Sequence, residues 1–169
     1  GAKDFENLRK SLAHSYRLTA FIAAGVLILS QSFASLVLTG LHTPSNIIGM
    51  SLLYLRIIFC GIPATAAYNM FASALRAMGN SKTPLTAMII ASVLNVSLDI
   101  LFVAGFGWGV AGAAIATVIA QSFSAVYCFL ILRRIDIVHL SRADFMPASG
   151  MNARLMKLGI PVVFQNIII

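Results

Sequence analysis

The sequence predicts an all-α protein, a polytopic bundle of transmembrane helices. Of its 169 residues, 59% are hydrophobic and 10% are charged, and the mean hydropathy is +0.91. A soluble globular domain carries about 25% charged residues. Several apolar segments are long enough to cross a bilayer, which takes about 20 helical residues for roughly 30 Å of hydrocarbon. These observations exclude an ordinary soluble domain.

The predicted spans are four, and they follow one another closely. They cover residues 18–41, 47–75, 84–106 and 109–132, and a fifth apolar segment starts near Leu155. Pro84 and Pro161 fall near helix starts, where a missing N–H does no harm. Pro63 falls within the second span, so we predict a kink that leaves the carbonyl of Phe59 free and lets the segment act as a hinge.

The basic residues predict the orientation of these spans. Eleven of the twelve Lys and Arg residues fall in three alternate segments, 1–17, 76–83 and 133–157. The two other connections, around HTPSN and GFGWGVAG, contain neither residue type. The positive-inside rule therefore places the basic segments in the cytoplasm of a multi-pass protein of the cell (inner or plasma) membrane. The net charge of +7 is then a topology signal, and we expect no nucleic-acid partner.

The segment 134–154 differs in composition from the spans. It contains charges, Pro147 and the small-residue run PASG, so we predict a cytoplasmic loop that joins two helix bundles. Residues 1–133 would belong to the first bundle and residues 155–169 would begin the second. The chain starts with Gly1 and ends inside an apolar segment, so we expect it to be a piece of a longer polypeptide.

Small residues and cysteines in the spans are interpreted as packing residues. Gly112, Ala116 and Ala120 recur at helix-packing spacing, which would let the fourth span approach a neighbour closely. Cys60 and Cys128 lie in apolar runs without metal-type spacing, so we expect both to be small buried hydrophobic residues.

Polar and ionisable residues collect at one depth in the predicted outer half of the membrane. Because spans alternate in direction, depth can be counted from their outer ends, and four residues lie roughly 8 to 12 Å inside. These four are Tyr54, Arg56, Asp99 and Thr117. An ionisable group at this depth is rare and usually marks an ion, proton or substrate path. The carboxylate of Asp99 is therefore the main functional candidate.

The third and fourth spans each carry a polar stripe. Met88, Ser92, Asn95 and Asp99 follow the 4, 3, 4 spacing of one helix face, and Thr117, Gln121, Ser124 and Cys128 repeat it. Asn95 then lies one turn from Asp99 and shares its candidacy. For Ser92, Gln121 and Ser124, one interpretation is interhelical hydrogen bonding, and the alternative is a functional role. Of these, Ser92 and Gln121 are also candidates for a substrate pathway.

Arg56 has two interpretations. It is two residues from Tyr54, about 200° around the helix, so the two side chains cannot both face one site. Arg56 either extends outward to the lipid headgroups or faces a second cavity as a substrate-pathway residue. We favour the first interpretation. The sequence shows no phosphate-binding loop, no nucleophile with a base and no paired carboxylates, so we predict a protein that is not an enzyme.

Three motifs together resemble the multidrug and toxic compound extrusion (MATE) transporters, especially the prokaryotic branch with an aspartate in the N-terminal lobe. The motifs are PATAAYNMFASALRAMGNSKTPL, NVSLDILF and GWGVAGAAIATVIAQ. The resemblance implies twelve helices in two six-helix lobes, of which this chain would hold helices three to six and the start of helix seven. It also implies a monomer whose partners are the lipid bilayer, small drug-like molecules, and helices one, two and eight to twelve of the same polypeptide.

The resemblance further implies a cation-coupling site. Asp99 and Asn95 match its helix-five residues, Tyr54 its helix-four tyrosine and Thr117 its helix-six threonine. A further aspartate is expected on helix one, outside this chain. The coupling ion would be H⁺ or Na⁺, with any Na⁺ at Asp99 and Asn95, and no other metal or cofactor is expected.

The implied function is a cation-coupled antiporter that exports organic, often cationic or amphipathic compounds from the cytoplasm. One alternative is a flippase for lipid-linked oligosaccharides, which the same superfamily contains. Its cavity usually carries several basic residues, whereas Arg56 alone lies within the predicted spans here. The other alternative is a membrane subunit without a transport function.

Overall fold

All the secondary-structure elements in the described part of the chain are helices. The computed structural model describes residues 2–135, with side chains from residue 11 onward. The elements are α1 (Ala2–Gly40), α2 (Ile48–Cys60), α3 (Ile62–Ala77), α4 (Lys82–Asp99), a π-helix (Ile100–Gly105) and α5 (Gly109–Arg133). The predicted all-α class is confirmed. From residue 136 onward, the predicted inter-lobe loop and fifth span lie outside the described residues.

Four spans are long and apolar enough to cross a membrane, as predicted. They are Ser11–Gly40, Ile48–Ala77, Lys82–Gly105 and Gly109–Arg133. The helix of the first span is longer than predicted, because α1 begins at Ala2 and residues 2–17 are not a loop. Packing explains part of this extension, since Leu12 and Tyr16 lie against a core cluster and Ala13 is fully buried.

The second span is interrupted at Gly61, between α2 and α3. The Gly61 N–H donates to the carbonyl of Ile58 at 2.9 Å, a tighter turn than the α-helix makes. Pro63 lies in the first turn of α3, where its missing N–H has no intrahelical partner to lose. The carbonyl of Phe59 accepts a backbone N–H at the end of α2, so the prediction that it is free is wrong. The hinge role of Pro63 stays a prediction.

The third span changes its helix type directly after Asp99. The Phe106 N–H donates to the carbonyl of Leu101 at 2.9 Å, five residues back, which is the bonding pattern of a π-helix. A tight corner follows, in which Gly107 and Gly109 adopt positive φ angles of 69° and 54°. The predicted span over 84–106 contains no such change, since apolar spacing alone carries no signal for the extra residue in each turn of a π-helix.

The fourth span is the centre of the bundle. Its helix α5 packs against α2, α3, α4 and the π-helix, whereas α1 packs against α2 and α3. Gly112, Ala116 and Ala120 are buried, which confirms that small residues permit close approach here. A Cβ on Gly112 would lie 3.0 Å from the Cβ of Phe102 in the π-helix. The side chain of this glycine is therefore limited to hydrogen by a neighbouring helix.

A compact apolar core lies at the end of the bundle that we predict to be cytoplasmic. It consists of Ala74, Leu75, Ala87, Cys128 and Leu132, all buried. The buried Cys128 agrees with expectation, but Cys60 is exposed, so that prediction is wrong. Cys60 is the last residue of α2, and its sulfur accepts a hydrogen bond from Gln31 Nε2 at 3.3 Å.

Candidate functional site

The two predicted polar stripes meet at Asn95 and Thr117. Asn95 Nδ2 donates to Thr117 Oγ1 at 3.4 Å, which joins α4 to α5. The Thr117 hydroxyl in turn donates to the carbonyl of Ala113 at 3.0 Å, so its oxygen is free to act as the acceptor. The hydrogen bond from Asn95 uses its amide nitrogen and leaves its side-chain oxygen for another partner. Asn95 therefore presents an acceptor on the helix face that it shares with Asp99.

Asp99 is the last residue of α4, one turn beyond Asn95. Its Oδ1 atom is buried and has no hydrogen-bond partner within residues 11–135. Leaving a buried acceptor unsatisfied costs about 1–3 kcal/mol, and more when the group is charged. A hydrogen-bond donor or a cation beside this oxygen would lower that cost. Asp99 and Asn95 offer carboxylate and amide oxygens, the type of donor atom that hard cations bind.

A cavity of about 340 Å³ opens between α3, α4 and α5. Its polar lining comes from Thr65, Tyr68 and Asn69 of α3, Ser92 and Asn95 of α4, and Thr117, Gln121 and Ser124 of α5. The volume is at the lower end of the range for small-molecule sites, about 300–1,000 Å³. Asp99 lies one turn beyond this lining. The cavity thus adjoins the carboxylate through Asn95.

The polar residues of α5 differ in what they bind. Gln121 Oε1 accepts a hydrogen bond from Thr65 Oγ1 at 2.8 Å, so it links α5 to α3. The Ser124 hydroxyl lies 3.3 Å from the carbonyl of Ala120 and 3.5 Å from that of Ala87. Ser124 thus joins α5 to α4, which is the structural role considered for it. Ser92 is exposed and lines the cavity.

Three cavity residues of α3 are not among the predicted site residues. Thr65, Tyr68 and Asn69 are spaced three and four residues apart, so they form a third polar stripe on one helix face. That signal was present in TAAYN. The Tyr68 hydroxyl also donates to the carbonyl of Pro84 at 3.2 Å, which ties α3 to the start of α4.

Tyr54 and Arg56 do not line the cavity. The Tyr54 side chain on α2 is 37% exposed, and Arg56 is exposed as well. The contact that Arg56 makes with α1 uses its backbone, whose carbonyl accepts from Gln31 Nε2 at 2.9 Å. Tyr54 and Arg56 have the same predicted depth in the membrane as Asp99. Depth along a helix, however, does not determine the direction in which a side chain points around the helix axis. The structure thus groups Asn95, Thr117, Ser92 and Gln121, with Asp99 beside them.

Comparison with known proteins identifies the family. The sequence model of the MatE family matches residues 1–101. This chain belongs to the MatE family. It is 38% identical over 136 residues to the probable multidrug resistance protein YpnP of Bacillus subtilis (strain 168), a match that covers 80% of this chain and 30% of YpnP. The resemblance drawn from the three sequence motifs is therefore confirmed.

One further relative and one solved structure match all or nearly all of the chain. The probable multidrug resistance protein YoeA of Bacillus subtilis (strain 168) is 27% identical over 177 residues, covering 100% of this chain and 38% of YoeA. The inward-facing structure of a multidrug resistance MATE family transporter of the MOP superfamily matches with a TM-score of 0.87 and 24% identity. That match covers 95% of this chain and 37% of that structure. The chain thus spans about a third of the length of these relatives.

Membership in the MatE family also indicates the class of protein and its cellular location. MatE proteins are transporters, not enzymes, and they are multi-pass proteins of the plasma membrane. The four apolar spans of this chain fit that location. The similarity to solved structures supports the same helical fold.

Proposed function

We propose that the protein containing this chain is a multidrug efflux transporter that works as a cation-coupled antiporter. It would export organic, often cationic or amphipathic compounds from the cytoplasm in exchange for H⁺ or Na⁺. Family membership and the multidrug resistance relatives support the export of such compounds. The observation that carries the coupling is the buried Oδ1 of Asp99, which has no hydrogen-bond partner in the described part of the chain.

The coupling follows from solvation. A bare carboxylate in a medium of low dielectric constant is destabilised, so it binds a proton or a cation whenever one can reach it. If one conformation of the transporter favours the ion-bound carboxylate and the other favours bound drug, an ion gradient shifts the population between the two conformations. In many transporters built from repeats, two lobes rock about a central binding site and open it alternately to the two sides of the membrane.

The lining of the cavity beside Asp99 suits a neutral or cationic substrate better than an anionic one. None of the described residues that line it is Lys or Arg. A lipid-linked oligosaccharide carries a pyrophosphate, and recognition of that group normally uses Arg or Lys. The exposed side chain of Arg56 lies outside the lining, so it does not supply the missing charge. The composition of the lining therefore disfavours the flippase alternative.

The test is efflux from cells that express the full-length protein, with the pH gradient and the sodium gradient collapsed separately. A drug-like fluorescent cation serves as the substrate, and cells carrying the empty vector serve as the control. We expect efflux above the control that stops when one of the two gradients is removed. Efflux that persists without either gradient would contradict antiport, and the absence of efflux at normal expression would contradict drug export.

A further inference from the structure

Three aromatic side chains form a cluster at the corner between the π-helix and α5. The rings of Phe102 and Phe106 stack with their centroids 6.0 Å apart, and the ring of Trp108 lies 5.2 Å from the first and 5.4 Å from the second. These separations are in the range of favourable aromatic pairs. Each ring is thus paired with the other two, and we call this set the corner aromatic cluster.

The backbone and α5 hold the corner aromatic cluster in place. The Trp108 N–H donates to the carbonyl of Phe102 at 2.9 Å, across the corner. The positive φ of Gly107, 69°, permits the turn between Phe106 and Trp108. A Cβ on Gly112 would lie 3.0 Å from Phe102 Cβ and 3.1 Å from Trp108 Cβ, so α5 packs directly against both residues.

Two members of the cluster face outward from the described part of the chain. Phe106 and Trp108 are 56% and 50% exposed, whereas Phe102 is partly buried. From Ile100 to Val110, the indole of Trp108 is the one side chain that can form a hydrogen bond, and none is charged. A connection surrounded by water is normally polar. The composition of this corner therefore favours a less polar environment than water.

The lengths of the helices place the corner at a membrane boundary. Lys82 begins the third span and Arg133 ends the fourth, so a charge marks the end of each span that is remote from the corner. The two spans have 24 and 25 residues. At 1.5 Å per residue, the corner lies about 36 Å from these charges. That distance exceeds the roughly 30 Å of hydrocarbon but falls within the about 40–45 Å that includes the headgroup regions.

We propose that Phe106 and Trp108 form a contact surface for phospholipid at the boundary between hydrocarbon and headgroups, on the side that the basic residues predict to be outer. Trp is enriched at this boundary because its ring is apolar while its indole N–H donates a hydrogen bond. Ester carbonyls of the lipid accept that bond, and acyl chains cover the exposed ring of Phe106. Phe102 is a positioning residue that holds both rings. The contact sets the depth of the corner in the membrane, and with it the depth of α4 and α5.

The test uses fluorescence quenching and needs neither transport nor a known orientation. The full-length protein is reconstituted in phosphatidylcholine that carries bromine, a quencher, either near the ester end or near the methyl end of its acyl chains. The emission of Trp108 is obtained as the difference between the parent and Trp108→Phe. We expect this emission to fall more with bromine near the esters than with bromine near the methyl ends, and to change little when iodide is added to the water.

Two further variants exchange one aromatic ring for another. Phe106→Trp adds an indole at the second exposed position, so the emission gained over the parent should show the same preference for bromine near the esters. This variant decides alone if Trp108→Phe does not fold. Phe123→Trp is the matched control, because Phe123 lies 14 residues after Gly109 in α5, about 21 Å from the corner. Its added emission should lack this preference, and the same preference there would contradict a contact specific to the corner.

Three results for Trp108 would overturn the proposal. Quenching by iodide without quenching by either lipid would place the corner in water. Quenching by none of the three reagents would show that another segment of the polypeptide covers the two rings. Stronger quenching by bromine near the methyl ends would place the rings in the interior of the hydrocarbon.

Discussion

Asn95 and Thr117 join the third and fourth spans through one hydrogen bond of 3.4 Å, one helical turn from the carboxylate of Asp99. This contact places an amide between the acid and a cavity of about 340 Å³. Asn95 lines the cavity and Asp99 does not, so the carboxylate lies beside the cavity and outside its lining.

The first prediction concerns Asp99. Asp99→Asn keeps the size of the side chain and one oxygen, but it removes the charge and the exchangeable proton. We expect gradient-driven efflux in cells to fall to the vector background. Membrane insertion and folding should be retained, because a neutral amide costs less than a carboxylate inside a membrane span. Expression is compared by immunoblot. Efflux at the parent rate with equal expression would show that the carboxylate is structural.

The second prediction concerns the hydrogen bond itself. Thr117→Val and Asn95→Ala each remove one partner, worth about 0.5–1.5 kcal/mol for a neutral pair. We expect both to weaken coupled efflux less than Asp99→Asn does, with Asn95→Ala the stronger of the two because it also removes an oxygen beside the acid. Ser97→Ala is the control, since Ser97 donates within its own helix to the carbonyl of Val93 at 2.8 Å. Equal effects of all three variants would contradict a specific role for the bond.

The third prediction tests the close approach of α5 to the π-helix. Gly112→Ala would place a methyl group 3.0 Å from the Cβ of Phe102 and 3.2 Å from its carbonyl carbon. We expect a loss of about 1–3 kcal/mol of stability, as for other overpacked sites. It is measured as a lower thermal midpoint of the full-length protein in detergent. Gly25→Ala is the control, because its Cβ would meet nothing within 4 Å, and we expect it to be neutral or slightly stabilising.

The fourth prediction concerns Pro63. Pro63→Ala restores an N–H that α2 could use to continue into α3, which would reduce the bend of the second span. We expect transport to fall more than drug binding, measured as efflux in cells and as equilibrium binding to the purified protein. Unchanged transport would indicate that Gly61 sets the interruption without help from the proline.

The fifth prediction concerns orientation. In a Cys60→Ala background, which removes the exposed native thiol, a cysteine at Ser45 should react with an impermeant reagent in intact cells. A cysteine at Ser81 should react only after the cells are opened. Both positions are exposed, so the membrane alone decides their access. The opposite pattern would invert the topology.

Much of the site could be predicted because helical spacing determines which residues share a face. The spacing of Asn95 and Asp99 placed both on one face of α4, and Thr117 and Gln121 on one face of α5. Tyr54 shows the limit, because its depth along α2 says nothing about which neighbour that helix turns it toward. The π-helix after Asp99 could not be predicted either, because an extra residue in one turn does not change the hydropathy pattern.

The sequence by itself determined that four apolar helices cross a membrane and that a single acid lies among them, because the cost of placing charge in hydrocarbon restricts composition span by span. Only the tertiary structure decided that Asn95 meets Thr117, that Asp99 Oδ1 is buried without a partner in the described residues, and that Gly61 lies against Gln121. These contacts depend on how each helix is rotated about its axis and where it is interrupted. Packing between helices sets both, through small residues such as Gly61 and Gly112 at the points where two helices approach each other closely.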